Sequence, residues 1–243
     1  MNTKEKNILF FLPSNQTYKI NQTLKIIDLK ILIEKIENLN ETLNEKITIT
    51  FITNKGEKPY LNYEKSESIN DWIKNNELKI NSCENLEEIK DINLYDGILI
   101  PSFINILQYI KTEISKNLIN LIKKFQDKKK IIATYEHSVL FLCKVNNENN
   151  FWPFLNYNLT GSSISNSLID ELYEIGENCE EEISLKGGNY ISKDNFDTFD
   201  NNNYNNSLVI CDKNIITGYD SSKETLNTII LCLIEKIKFL NYK

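Results

Sequence analysis

Short continuous apolar runs alternate along the chain with longer segments whose apolar positions recur every three or four residues. Asn7–Leu12 (NILFFL) is such a run, ended by Pro13-Ser14-Asn15, and reads as a strand buried on both faces. Thr23–Leu39 follows with Leu24, Ile27, Leu29, Ile31, Leu32, Ile36 and Leu39 among charges, which predicts an amphipathic helix. Ile47–Thr53 (ITITFIT) is β-branched and strand-like, closing at Asn54-Lys55-Gly56. Residues 55–93 are polar and irregular, with one short helical piece around Ile69–Lys74. Tyr95–Pro101 (YDGILIP) supplies a short buried strand stopped by proline, and Ser115–Phe125 a further amphipathic helix.

Strand Ile131–Thr134 and helix Ser138–Lys144 flank a turn at Tyr135-Glu136-His137. Beyond it come Asn158–Gly161, a helix around Cys179–Leu185 closing at Gly187-Gly188, and Tyr190-Ile191. Lys193–Asn206 is rich in Asn and Asp and reads as a solvated loop insertion. Leu208–Cys211 and Asn214–Thr217 form a hairpin-like pair about Asp212-Lys213. Ser221-Ser222-Lys223-Glu224 is a capping box for a last helix with an apolar stripe at 226, 229, 230, 233, 234, 237 and 240. Such alternation implies an α/β sandwich with a mostly parallel sheet and helices on both faces. With no linker in view, residues 1–243 are expected to form one domain.

The turn is where chemistry is expected. A strand that turns sharply into a helix can hold a nucleophile, because side chain and helix N-terminus then face one pocket. The single histidine, His137, sits there and could act as general base, with Glu136 as partner and Tyr135 as acid or nucleophile. The plainer reading is a polar turn, with Glu136 favoured by the helix dipole and Ser138 available as a cap. Adjacent residues at a turn usually point in different directions, so the plainer reading is preferred.

Composition narrows the partners. The net charge of −6 disfavours nucleic acid or an anionic membrane as the main partner. Every positively charged side chain is a lysine, so no bidentate guanidinium clamp exists for a carboxylate or phosphate. The apolar segments Ile106–Phe125 and Leu226–Leu240 carry regular Lys and Glu, which argues against a membrane span. The N-terminal residues are polar, without the apolar core of a signal peptide, and a cytoplasmic protein is expected. Five scattered cysteines without a CxxC pair, beside one histidine, predict neither a metal site nor a cofactor. Cys143 and Cys211 read as small core hydrophobes, while glutamates around Cys179 would disfavour its thiolate. Glu180-Glu181-Glu182 lies at a helix start, where acids are ordinarily favourable. Phe151-Trp152-Pro153-Phe154 is a loop aromatic group whose commonest role is core packing.

In order and spacing these segments resemble the DJ-1/PfpI (ThiJ/PfpI) superfamily of class I glutamine amidotransferase-like proteins, nearest its heat-shock chaperone and glyoxalase branch. Asn7–Pro13 resembles the first strand, and Ile47–Gly56 the second with its "F-x-S-x-x-G" ending. Tyr95–Pro101 is similar to "YDGIIIPGG", Ile131–Leu142 to the elbow pattern "VAAVCHGPAIL", and Val209–Gly218 to "VVDGNLITG". Glu180–Tyr190 resembles the "LE…GA-x-Y" helix end. The resemblance implies a flavodoxin-like three-layer fold, a homodimer, and an elbow cysteine acting as a low-pKa thiolate. Aligned on that pattern, Tyr135 takes the cysteine position, Glu136 the histidine, His137 the glycine and Ser138 the proline. Ser102-Phe103 replaces the glycine pair of the oxyanion loop, and Asp28 is the counterpart of the acid beside the cysteine. A phenol is a poor nucleophile near neutral pH. The expectation is therefore a non-catalytic, chaperone-like stress protein that binds a small carbonyl metabolite or a client protein. The alternative is a glutathione-independent glyoxalase (methylglyoxal to lactate), or a related hydrolase, using Tyr135, Glu136 and His137.

Overall fold

A computed structural model describes residues 5–14, 23–43, 46–62, 66–162, 178–193 and 207–240. Among them, seven strands form the central sheet: β1 (Lys6–Phe11), β2 (Ile47–Thr53), β3 (Glu84–Asn85), β4 (Gly97–Ile100), β5 (Ile131–Tyr135), β6 (Val209–Asp212) and β7 (Ile215–Gly218). Their order is β6-β7-β5-β4-β1-β2-β3. All neighbours are parallel except β6, which pairs antiparallel with β7 as the hairpin pattern predicted. Helices α1 (Ile26–Leu43), α2 (Glu67–Asn81) and α7 (Lys223–Leu240) pack in the layer on one face. Helices α3 (Ile106–Ile110), α4 (Ser115–Asp127), α5 (Leu140–Cys143) and α6 (Cys179–Leu185) pack in the layer on the other.

This three-layer α/β sandwich follows from the continuous apolar runs. In β5, Ile131, Ala133 and Tyr135 enter the α1/α7 layer, while Ile132 enters the α3–α6 layer. A strand with both faces buried needs apolar side chains at successive positions, not alternate ones. Crossover connections between the parallel strands then put helices on both sides. None of the described helices is long and apolar enough to cross a membrane.

Several elements differ from the pattern's prediction. α1 starts at Ile26, because Leu24–Lys25 instead pairs in parallel with Leu61–Asn62. The polar stretch 55–93 contains a full helix, α2, opened by Ser66, whose hydroxyl accepts from the Ile69 amide. α2 buries chiefly Trp72 and Ile80, so its apolar stripe is too thin to read over its whole length. The cap of α7 also moves by one residue. The Thr225 amide donates to Ser222 Oγ at 3.3 Å, and Asp220 Oδ1 accepts from both the Ser222 and Thr225 hydroxyls. Cys211, expected in the core, is exposed on the edge strand β6. Residues 194–206 of the Asn-rich insertion lie outside the described residues.

The aromatic group at 151–154 divides in two. Phe154 is buried and Trp152 packs on the core with its indole N–H on the Leu142 carbonyl at 2.9 Å, whereas Phe151 is exposed.

The sheet is tightest where β5 and β7 end. Gly218 pairs with Tyr135, and a Cβ on Gly218 would lie 2.7 Å from Ile229 Cδ1, 2.9 Å from Thr225 Cγ2 and 3.1 Å from Tyr135 Cβ. Gly218→Ala should therefore overpack the junction of β5, β7 and α7, lowering stability by about 1–3 kcal/mol. A urea-denaturation midpoint equal to that of the natural chain would refute this close packing.

Candidate functional site

β5 ends with Tyr135 in fully extended backbone (φ −152°, ψ 162°), and the chain turns at Glu136, whose φ is 51°. Left-handed backbone at a glutamate costs about 1–3 kcal/mol and persists only where the surroundings impose it. The tight turn Glu136–Val139 and the four-residue α5 follow. The strained elbow residue is thus Glu136, one position beyond the Tyr135 chosen from the sequence pattern. The misplacement has a simple cause: a tyrosine after a run of apolar residues reads as the start of a loop, yet it is the last buried residue of the strand.

Ser138 imposes the turn. Its hydroxyl accepts the Tyr135 amide at 3.2 Å and lies 2.5 Å from the Tyr135 carbonyl, 2.5 Å from Thr134 Oγ1 and 3.1 Å from the Ile100 carbonyl. One buried hydroxyl therefore ties the end of β5 to its own turn and to the end of β4. A second restraint comes from residues 158–161. The Thr160 amide donates to Thr217 Oγ1 at 2.9 Å, and Tyr190 Oη donates to the Gly161 carbonyl at 2.8 Å. Gly161 is needed because a Cβ there would stand 3.1 Å from both the Glu136 carbonyl and the Cys179 sulfur.

These restraints gather several titratable groups. Asp28, in the first turn of α1, is buried, and its carboxyl is raised from the ordinary 3.8 to about 7. Burial is the main cause, Lys25 opposes it, and the nearby Glu136 adds to it. Tyr135 is fully buried, and its Oη has no hydrogen-bond partner. Burial, then Asp28 and Glu136, push this phenol well above its ordinary value. The Ser102 backbone N–H acts weakly in the opposite direction from outside hydrogen-bond geometry. His137 is lowered from 6.5 by burial, which outweighs the pull of Glu136, so the imidazole is neutral at pH 7.

The structure therefore brings Asp28, Tyr135, Glu136 and His137 together, with Glu136 acting on each of the others. Of the two oxyanion-loop positions, Ser102 directs its backbone toward Tyr135 Oη, whereas the Phe103 ring packs against Phe11, Tyr109 and Phe141 in the core. Sequence reasoning missed Cys179 as a neighbour of the elbow. Its thiol donates to the Glu136 carbonyl at 3.6 Å and is pushed well above its ordinary value, first by burial, then by Cys143 and Glu136. It is a structural hydrogen-bond donor, not a thiolate. Gly161, one of seven glycines, was the available sign that a backbone crosses here.

No family model matches the chain. In sequence it is similar to the glutamine amidotransferase-like class 1 domain-containing protein 1 of Xenopus laevis, at 29% identity over 170 residues, spanning 69% of this chain and 70% of that protein. In structure it is similar to the rapid encystment protein REP24 of Francisella tularensis, with TM-score 0.71, 16% identity, and 96% of this chain and 99% of that one covered. It is similar too to glyoxalase III from Candida albicans, with TM-score 0.68, 12% identity and coverages of 95% and 96%. Drosophila melanogaster DJ-1beta matches with TM-score 0.54, 13% identity and coverages of 98% and 97%.

Two measurements test the electrostatics of the site. Between about pH 4 and 7 the folded chain keeps a proton on Asp28 that the unfolded chain has released. Folding stability should thus fall as pH rises through that window, by an amount of the order of a few kcal/mol. Asp28→Asn should flatten the fall in urea titrations; an unchanged slope would remove Asp28 from the account. Tyr135→Phe removes an unpartnered buried hydroxyl and should be neutral or stabilising, by up to about 1 kcal/mol. A loss of 2 kcal/mol or more, roughly the cost of a stranded polar partner, would reveal a bond to Oη.

Proposed function

From a chain that has the DJ-1/ThiJ/PfpI fold and is similar in sequence to a glutamine amidotransferase-like class 1 domain protein, we propose a superfamily member that works without thiol chemistry. It acts as a cytoplasmic, homodimeric binding or chaperone-like stress protein, engaging a client protein or a small carbonyl metabolite at the elbow. The observation that carries this reading is the glutamate at the strained position: Glu136, not a cysteine, has the left-handed backbone of the elbow. The neighbouring groups support it. Cys179 and Tyr135 are buried and held in their neutral forms, and neither is a nucleophile near pH 7. The turn at 136–139 leads into a helix of four residues, which gives little dipole support to an anion.

A second reading rests on Asp28. A buried carboxyl raised to about 7, with a second carboxyl-bearing residue, Glu136, near enough to act on it, is a proton donor matched to neutral pH. In that reading Asp28 and Glu136 move protons on a small carbonyl substrate, as the likeness in fold to a glyoxalase III invites.

Methylglyoxal consumption and lactate formation separate the two. The natural chain should show no turnover above the rate without protein, should suppress aggregation of a heat-denatured client, and should sediment as a dimer. Glu136→Cys, which puts a thiol on the strained backbone, should react with iodoacetamide at position 136. Turnover by the natural chain that drops at least tenfold in both Glu136→Gln and Asp28→Asn would overturn the binding-protein reading in favour of the carboxyl pair.

A further inference from the structure

Away from the elbow, α7 packs over the edge strand β6. Side chains alternate along a strand, so Val209 and Cys211 share one face of β6. Val209 packs in the same layer as Cys232 of α7, and Cys211 is the cross-strand partner of Ile216, another residue of that layer. Cys211 therefore faces α7. On the helix, Cys232 and Lys236 are four residues apart and lie on one ridge. Lys236 Nζ donates to the Lys213 carbonyl in the β6–β7 turn at 2.5 Å, which fixes that ridge over the hairpin. One helical turn back, Cys232 stands over the face of β6 that carries Cys211, and each thiol acts on the other's proton affinity. Cys211 is exposed and Cys232 half-buried, so small solutes reach the pair from the sheet edge.

We propose that Cys211 and Cys232 are a hydroperoxide-reactive thiol pair that closes to a reversible disulfide joining the edge strand to helix α7. The two thiols have divided roles. The neighbouring Cys211 thiol lowers Cys232; burial opposes this, and the Lys236 ammonium reinforces it. Cys211 holds its proton more tightly than usual because Cys232 and burial oppose its ionisation more than Lys236 favours it. Cys232 is thus the attacking thiolate and Cys211 the resolving thiol.

The chemistry balances with one hydroperoxide. The Cys232 thiolate attacks the distal peroxide oxygen; the O–O bond breaks, and the departing alkoxide or hydroxide takes up a proton, leaving Cys232 as a sulfenic acid. Cys211 sulfur then attacks the Cys232 sulfur, its proton leaves with the displaced hydroxide as water, and the S–S bond forms. Two thiols are oxidised to a disulfide while the peroxide is reduced to an alcohol, or to water, plus water. The remaining cysteines are poor competitors. Cys143 and Cys179 are buried, and burial, with Glu57 adding, pushes the Cys83 thiol up to about 12.

The full chain treated with hydrogen peroxide tests this directly. Two of the five thiols should be lost. The intact mass should fall by two hydrogens, peptide mapping should link Cys211 to Cys232, and dithiothreitol should restore both thiols. Cys232→Ser should slow the first thiol loss by about tenfold, the larger gain in thiolate fraction being offset in part by lower nucleophilicity. Cys211→Ser should form no disulfide but should leave a Cys232 sulfenic acid that dimedone traps. The proposal fails if the linked peptide involves another cysteine, or if Cys232 passes to sulfinic acid while Cys211 stays a thiol. It fails equally if Cys232→Ser loses thiols as fast as the natural chain.

Discussion

The geometry of the elbow depends on one buried hydroxyl. Ser138 Oγ accepts the last amide of β5 and lies within bonding distance of carbonyls at the ends of β5 and β4. Losing that hydroxyl would break several buried hydrogen bonds at once, each worth about 0.5–1.5 kcal/mol. That is the same order as the strain of the left-handed Glu136 that the link imposes. Gly218 and Gly161 make the arrangement feasible, since a Cβ on Gly218 would collide with Ile229 and Thr225 and crowd Tyr135, and one on Gly161 would crowd the Glu136 carbonyl. The turn is thus over-determined from β4, β7 and the segment around Gly161, which is how a fold keeps a strained residue in place.

That placement decides the electrostatics. In an open sheet of this kind, ligands gather beyond the carboxyl ends of the strands, where chain order reverses. Here β1 lies between β2 and β4, and α1, which leaves β1, carries Asp28 to the elbow beside β4. Burial then acts alike on every group it reaches. It raises Asp28, Tyr135 and Cys179 and lowers His137, each toward its neutral form. An active thiol site requires the reverse, a charge stabilised by donors and a helix terminus.

Much of the fold was legible because parallel strands buried on both faces are continuous apolar runs, and every strand of the sheet except β3, a polar two-residue edge strand, appears where such a run lies. α2 was mostly hidden, since a helix that buries little more than Trp72 and Ile80 leaves almost no periodic signal. At the site, the turn between β5 and α5 was visible as a break in apolarity, and Asp28 lies near enough to act on Tyr135. The one-residue error at Tyr135 and Glu136 arises because left-handed backbone has no side-chain signature outside glycine and asparagine. Cys179, 43 positions from Glu136, is brought to the elbow by tertiary packing alone. Cys211 reads as buried within an apolar run, yet it sits on the antiparallel edge strand, and edge position is a property of strand order.

The chain thus places its groups in two contrasting environments. At the elbow, a carboxyl-bearing residue has the strained position, and the one described thiol bonded to it is sealed beneath. Lys25 is the cation that acts on Asp28, and the sequence offers no guanidinium to hold an anion. In the reading we propose, a site built from Asp28, Glu136 and a neutral phenol suits uncharged, hydrogen-bonding ligands, among them carbonyl compounds, better than carboxylates and phosphates. At the sheet edge the balance is reversed: shallow burial, a lysine and a partner thiol together stabilise a thiolate at Cys232. Thiolate character follows desolvation, neighbouring charge and available donors, wherever in the fold these are found. The same physics that silences Cys179 beneath the elbow activates Cys232 on the far helix.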